Sequence, residues 1–226
     1  MSIIVKGKTA LVTGANRGIG RDIAIAFLNQ GAEKVYLAVR NRASVNDLVN
    51  DYPGQFEALE VDVTNPNSVQ ALAASAQDVN IVINNAAVLA PSGVFDDNVF
   101  DSFEQELNVN TLGLLRMARA FAPVLEANKT STFIQLNSIV SFKSFDSVAT
   151  YSASKAASYS FTLSVKNEFE QKGIQVHSVH PGPIATDMSE QAGVKDIGEP
   201  SSVVADDIID VLENNVFLSF PDEIAK

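Results

Sequence analysis

The chain has 226 residues, 46% of them hydrophobic and 19% charged, with 16 basic against 27 acidic side chains and a formal net charge of −11. That balance argues against nucleic acid or an anionic membrane surface as a partner, because both repel an acidic protein. Cysteine is absent, which excludes a disulfide framework, a thiolate nucleophile and a cysteine-based zinc site.

Short β-branched runs alternate with longer stretches of helical period from the start of the chain. Strands are expected at 9–12, 35–39, 56–61, 80–83, 132–136, 175–179 and 216–220, and helices at 18–30, 44–51, 67–76, 96–126, 150–171 and 201–213. In the first helix Ile19, Ile23 and Phe27 recur at four-residue spacing beside Ala24 and Leu28, so one face is apolar. Seven strands alternating with six helical segments predict right-handed βαβ crossovers and an α/β, doubly wound architecture, a parallel seven-stranded sheet with helices on both faces. No repeat, low-complexity tract or linker divides residues 1–226, which read as one domain.

The least regular stretch, 181–200, is rich in Gly, Pro and charge and follows a strand. Ligands of open α/β sheets sit beyond the carboxyl ends of the strands, so 187–200 is expected to be a substrate loop. No apolar run approaches the roughly 20 residues of a spanning helix, and Lys6 and Lys8 stand where a signal peptide has its apolar segment. The chain therefore reads as cytoplasmic.

The first strand runs directly into Thr13-Gly14-Ala15-Asn16-Arg17-Gly18-Ile19-Gly20, where the helix begins. Gly14 permits a tight turn, Gly18 lets backbone approach a pyrophosphate, Gly20 lets helix and sheet pack closely, and the helix amino terminus offers free N–H groups to an anion. The second strand ends Ala38-Val39-Arg40-Asn41-Arg42, with no carboxylate to accept from an NAD ribose. Arg40 and Arg17 are placed to meet a 2′-phosphate through charge-assisted bonds, which predicts NADPH over NADH, while Arg42 is assigned to solvent.

Tyr151 and Lys155 open the fifth helical segment four residues apart and share a face. Such a pair arises in about one in six shuffled chains of this composition, so its company decides its weight. Ser138 ends the fifth strand, and Asn110 lies in the long fourth helical segment.

With these residues in hand, the chain closely resembles the short-chain dehydrogenase/reductase family from about Lys8 to Met188. The glycine turn, Asp62, Asn84-Asn85-Ala86, Asn110, Ser138, Tyr151, Lys155 and Pro181-Gly182 fall in family order and at family distances. The resemblance implies a single Rossmann-type domain and hydride transfer between nicotinamide and a carbonyl or alcohol. It makes Tyr151 the general acid/base, Ser138 the group that polarises the carbonyl, Lys155 the partner of both phenol and nicotinamide ribose, and Asn110 the holder of a relay water. Positive charge from Lys155, and from the oxidised nicotinamide, is expected to lower the Tyr151 phenol. On the cofactor side it implies roles for Asn16, Ile19, Asp62 at the adenine amine, Val63 beside the ring, Asn85, Ala86, Val109, Pro181, Gly182, Ile184 and Thr186.

Two departures stand out. Ala87 replaces the usual glycine, and the chain lacks the glycine-rich tail that many members use in tetramer contacts, so a homodimer through 96–126 and 150–171 is expected and a tetramer is not. Pro221-Asp222-Glu223 reads as the start of a further helix, which leaves the carboxyl terminus incomplete or frayed. His177 and His180 have no third ligand in view and read as structural, with no metal site expected. Val88, Leu89, Ile139, Phe142, Phe145 and Met188 flank the chemical residues and point to a small-molecule ketone or aldehyde with an apolar body. Two other readings stay open. The same residues serve NAD-linked alcohol oxidation or a redox-neutral step through a transient ketone; alternatively the chain is a cofactor-sensing module, against which the retention of Asn110, Ser138, Tyr151 and Lys155 speaks.

Overall fold

The computed structural model describes residues 2–226. In chain order the elements are β1 (Thr9–Thr13), α1 (Gly18–Asn29), β2 (Lys34–Val39), α2 (Asn46–Asp51), β3 (Phe56–Glu60), α3 (Pro66–Ser75), β4 (Ile81–Asn84), α4 (Val99–Glu106), α5 (Leu112–Ala127), β5 (Thr132–Leu136), α6 (Ala149–Glu170), β6 (Gln175–Val179), α7 (Asp187–Gln191), α8 (Ser202–Asn214) and β7 (Leu218–Ser219). The seven strands form one parallel sheet in the order β3-β2-β1-β4-β5-β6-β7. The chain order reverses between β1 and β4, so the crevice for a ligand opens beyond the carboxyl ends of those two strands.

Strand side chains alternate between two apolar layers because successive residues point to opposite faces. Val35, Leu37, Val39, Ile81 and Ile83 join Ile23 and Phe27 of α1 and Ile208 and Leu212 of α8 on one face. Tyr36, Ala38 and Val82 join Leu72 of α3, Leu114, Met117 and Phe121 of α5 and Phe169 of α6 on the other. Local chemistry sets the ends. Asn65 caps α3 by accepting from Asn67 N and Ser68 N, with Pro66 in the first turn where its missing N–H costs nothing. Asn215, at φ +53°, closes α8 in the left-handed conformation.

Three expectations are corrected. The helix expected over 96–126 is interrupted: a π-turn at Leu107–Thr111 separates α4 from α5. There Thr111 Oγ1 donates to Ser154 O (2.8 Å) and Asn110 reaches across to α6, and these tertiary bonds stabilise the wider turn. The last strand shrinks to Leu218–Ser219, because only Ser178 and Val179 of β6 remain to pair with it. The helix start expected at Pro221 is a single turn, in which Asp222 Oδ1 accepts from Ala225 N (3.0 Å) and Oδ2 from Gly182 N (2.7 Å). Within the expected substrate loop the chain is partly helical, since Thr186 and Ser189 form a reciprocal cap at the start of α7. Among the described residues no helix is long and apolar enough to cross a membrane.

Candidate active site

A cavity of about 1100 Å³ opens beyond the carboxyl ends of the strands, and all the residues singled out above as catalytic or cofactor-binding line it except Asn110. The glycine turn forms its floor. Gly14 takes φ +68°, which L side chains rarely adopt, and a Cβ on Gly20 would run into the Gly14 carbonyl and come within 2.6 Å of Asn85 Nδ2. Thr13 fastens this turn to β4: its Oγ1 accepts from both Asn85 N and Ala86 N, each at 2.9 Å. Asn85 Nδ2 in turn donates to Thr13 O (2.8 Å). No side chain caps α1, so the first N–H groups of the helix remain available to an anion.

The two arginines have different surroundings. Arg40 is exposed at the end of β2, lines the cavity and makes no hydrogen bond or ion pair among the described residues. Arg17 pairs with Asp187 of α7 (2.7 Å, both side chains more than half exposed), so it ties the glycine turn to the substrate loop. Asp62, expected at the adenine, is engaged through Oδ1 by Thr64 N (2.9 Å) and Thr64 Oγ1 (2.7 Å), an Asx-turn after β3. Those two bonds, with the nearby Arg40 and Arg116 charges, hold its carboxyl below the usual range.

At the other end of the cavity stand Ser138, Tyr151 and Lys155, each under one-tenth exposed. Ser138 follows β5, its Oγ donating to Pro181 O (3.2 Å) and a hydrogen bond linking it to the Tyr151 phenol. Tyr151 and Lys155 lie one turn apart on α6, with Lys155 Nζ donating to Leu136 O (2.8 Å) and lying 5.8 Å from the Tyr151 ring centre. Burial brings the Lys155 ammonium down from 10.5 to about 8. In the chain alone Tyr151 is pushed above its ordinary value: burial is the largest cause, the Glu106 carboxylate adds to it, and the Ser138 hydrogen bond opposes it.

Asn110 stands behind this cluster. Its Oδ1 accepts from Val88 N (2.9 Å), and its Nδ2 donates to Val88 O (2.9 Å) and Ser154 Oγ (3.0 Å). Both amide hydrogens are thereby used on the β4 loop and α6, and neither faces Lys155. His180 is fully buried, its Nδ1 3.0 Å from Ser138 O and its Nε2 2.7 Å from Ser178 Oγ. Phe142, expected beside the substrate, instead stacks on Tyr159, His180 and Phe220 outside the cavity. Val88, Leu89, Ile139, Phe145 and Met188 do line it.

The model of the family described as short chain dehydrogenase matches residues 8–196. This chain belongs to that family. It is an oxidoreductase of a family that uses a nicotinamide cofactor and acts on small molecules. An uncharacterized oxidoreductase of Staphylococcus epidermidis is 31% identical over 212 residues, 92% of this chain and 90% of that one. Another, from Staphylococcus aureus, is 34% identical over 188 residues, 81% and 80% of the two chains. A short chain dehydrogenase of Burkholderia cenocepacia solved in complex with NADP superposes with a TM-score of 0.92 at 33% identity, covering 99% of this chain and 91% of that one. A Burkholderia phymatum relative in complex with NAD, 22% identical with a TM-score of 0.89, covers 98% and 91% and shares the fold.

Sequence reasoning missed Thr13, Asp222, Ser154, Glu106 and the bond from His180 to Ser138. Glu106 alone had a signal: it lies four residues before Asn110, hence on the same helical face.

Proposed function

We propose that this chain is an NADPH-dependent carbonyl reductase that converts a ketone or aldehyde to an alcohol. One observation carries the reading: a single cavity has Arg40 and the glycine turn at one end and Ser138, Tyr151 and Lys155 at the other. A dinucleotide fits that span, because the turn is bare of side chains and α1 leaves its first N–H groups free. Arg40 has no partner to give up before meeting a 2′-phosphate, and the end of β2 carries no carboxylate to accept from a ribose hydroxyl. The NADP held by the Burkholderia cenocepacia relative supports the same choice.

When bound, the reduced nicotinamide supplies the hydride. Proton handling falls to the chain's own side chains. The Ser138 hydroxyl turns from Pro181 O to the substrate oxygen and polarises it. Tyr151 donates its phenolic proton to the oxygen as negative charge develops there. Lys155 uses one N–H on Leu136 O and keeps two for the phenol side and a ribose hydroxyl. The side-chain amide of Asn110 holds Val88 against α6 and so fixes the turn from which the residue would hold a relay water. The apolar lining from Val88, Leu89, Ile139, Phe145 and Met188 suits a substrate with an apolar body. Exposed Leu112, Phe161 and Leu163 on α5 and α6 support a homodimer through those helices.

The test is the rate of NADPH consumption across a panel of ketones and aldehydes, with NADH in parallel, for the wild type and Arg40→Asp. NADPH-favoured turnover in the wild type that reverses in the variant is the expected result. Equal losses with both cofactors would remove Arg40 from the 2′-phosphate site, and no turnover of any carbonyl would remove the reductase reading.

A further inference from the structure

Three contacts fasten the Ser138 turn to the segment that follows β6. Pro181 O accepts from Ser138 Oγ (3.2 Å) and Ile139 N (2.9 Å), and the His180 ring reaches Ser138 O through Nδ1 (3.0 Å). That segment is itself fixed, since His180 N donates to Ser219 O (2.8 Å) and Gly182 N to Asp222 Oδ2 (2.7 Å). His180 is 0% exposed, lies outside the cavity and packs against Phe142, Tyr159 and Phe220, with ring centres 4.7, 4.8 and 5.6 Å away. Those rings keep water from the bond to Ser138 O, and the imidazole, outside the cavity, meets no ligand.

The hydrogens on this ring follow from its partners. Ser138 O can only accept, so Nδ1 carries the hydrogen. Burial, with the Lys155 charge adding to it, keeps the ring neutral, so Nε2 has a lone pair and accepts from Ser178 Oγ (2.7 Å). With its one hydrogen spent there, Ser178 Oγ can only accept from the side chain of Asn137 (2.9 Å), which turns Nδ2 of that amide toward it. The second Nδ2 hydrogen meets Thr162 Oγ1 (3.2 Å), whose own hydrogen goes to Ser158 O (2.8 Å). A buried line of hydrogen bonds therefore runs one way, from Asn137 directly after β5, through Ser178 of β6 and the imidazole, to the carbonyl of Ser138. Each bond in such a line polarises and strengthens the next.

We propose that His180 is a positioning residue: its Nδ1–H tautomer, locked by Ser178 and Asn137, holds the Ser138 carbonyl so that the Ser138 hydroxyl is presented to the substrate oxygen. This rests on the reductase reading for the role of Ser138. The peptide plane after Ser138 is clamped at both its polar groups, the carbonyl by His180 Nδ1 and Ser141 N (2.9 Å) and the N–H, that of Ile139, by Pro181 O. The Cα–Cβ bond of Ser138 is thereby fixed at the cavity wall, and only the hydroxyl is left to turn when its hydrogen passes from Pro181 O to the substrate. That turn needs no rearrangement of the loop.

The discriminating pair is His180→Asn and His180→Gln. The Asn amide nitrogen stands as many bonds from Cβ as Nδ1, and the Gln amide nitrogen as many as Nε2, so Asn keeps a donor for Ser138 O whereas Gln, the closer match in volume, does not. In carbonyl reduction kcat is expected to fall roughly a hundredfold in His180→Gln and far less in His180→Asn, while the Kd for NADPH stays within about twofold in both. Two measurements need no turnover. Long-range proton–nitrogen NMR of the wild type is expected to show His180 protonated at Nδ1, its signals identified by their loss in His180→Asn. Amide hydrogen exchange at Ile139 and Ser141 is expected to quicken roughly tenfold in His180→Gln and little in His180→Asn. A ring that only fills space gives the reverse order, because Asn leaves the larger void. Gln matching or exceeding Asn in kcat and in exchange protection would therefore overturn the assignment, as would an Nε2–H tautomer in the wild type. Should the wild type turn over no carbonyl, the reductase reading fails, and the tautomer and exchange rates still decide whether His180 holds Ser138.

Discussion

Replacing Lys155 with Met separates what this residue does for chemistry from what it costs the fold. Lys155 is 2% exposed, and burial lowers its ammonium from 10.5 to about 8. A lowered lysine means that the folded state disfavours the charge. That cost is fully present below about pH 8 and is relieved as pH rises from about 8 toward 10.5, where the folded protein has released a proton that the unfolded chain still holds. The interval corresponds to roughly 3 kcal/mol. Met removes the buried charge and also the bond to Leu136 O, a loss of about 1 kcal/mol that is softened because Gln135 Nε2 still donates to the same carbonyl (3.0 Å). The net expectation is a gain of roughly 2 kcal/mol near neutral pH. For a domain of this size that raises the midpoint of thermal unfolding by roughly 4–8 °C. Turnover should be lost at the same time. The assay is thermal unfolding of both proteins at several pH values between neutral and about 10. The wild type is expected to gain on the variant as pH rises. A Met variant no more stable than wild type, with the same pH slope, would refute the buried-charge argument.

Gly20→Ala places a methyl group against the Gly14 carbonyl and Asn85 Nδ2, neither of which can move without opening the turn; a loss of about 1–3 kcal/mol in denaturant unfolding and weaker cofactor binding are expected. The same substitution at Gly54, at φ +80° with nothing within 4 Å of the added methyl, should weaken stability by a backbone effect alone and leave cofactor binding untouched. His180 is held neutral by burial, down from 6.5 to about 4, so the stability it contributes is present above about 6.5 and lost as pH falls toward about 4, a change of roughly 3 kcal/mol. His180→Asn should flatten the acid side of the stability profile by close to one proton, and an unchanged slope would show that another group carries the acid transition.

The seven strands were legible because buried parallel strands are short β-branched runs, and Val35–Val39 or Ile81–Ile83 cannot be mistaken for surface. That Ser138, Tyr151 and Lys155 meet at one cavity was legible because each stands near a strand or helix end. What escaped was everything fixed by contacts distant in sequence. Residues 96–126 keep a helical period straight through the π-turn, and nothing local tells that Thr111 will bond Ser154 O, 43 positions away. Asp62 and Asn85 were correctly placed at the cavity, yet their side chains are engaged in an Asx-turn and in the glycine turn, partners that a one-dimensional pattern does not reveal. Phe142 has the composition of a pocket residue, and only the position of His180 and Tyr159 draws it into a separate aromatic cluster.

These same long-range bonds divide the residues around the cavity into groups already engaged and groups with bonding capacity left over. Asn110 uses its whole amide on Val88 and Ser154. Asp222 accepts from Gly182 N and Ala225 N, and His180 binds the backbone of Ser138. Each secures a different loop at the carboxyl edge of the sheet: the one after β4, the one carrying Pro181 and the one carrying Ser138. Lys155 and Arg40 differ, because one keeps two N–H groups unused and the other has no partner at all among the described residues. Hydrogen-bonding capacity left over in a buried cation such as Lys155 is costly unless a partner enters, whereas that of the exposed Arg40 is free for an anion that docks in the cavity. Counting that remainder residue by residue separates the groups that meet ligand from the groups that hold loops, and it does so without appeal to a motif.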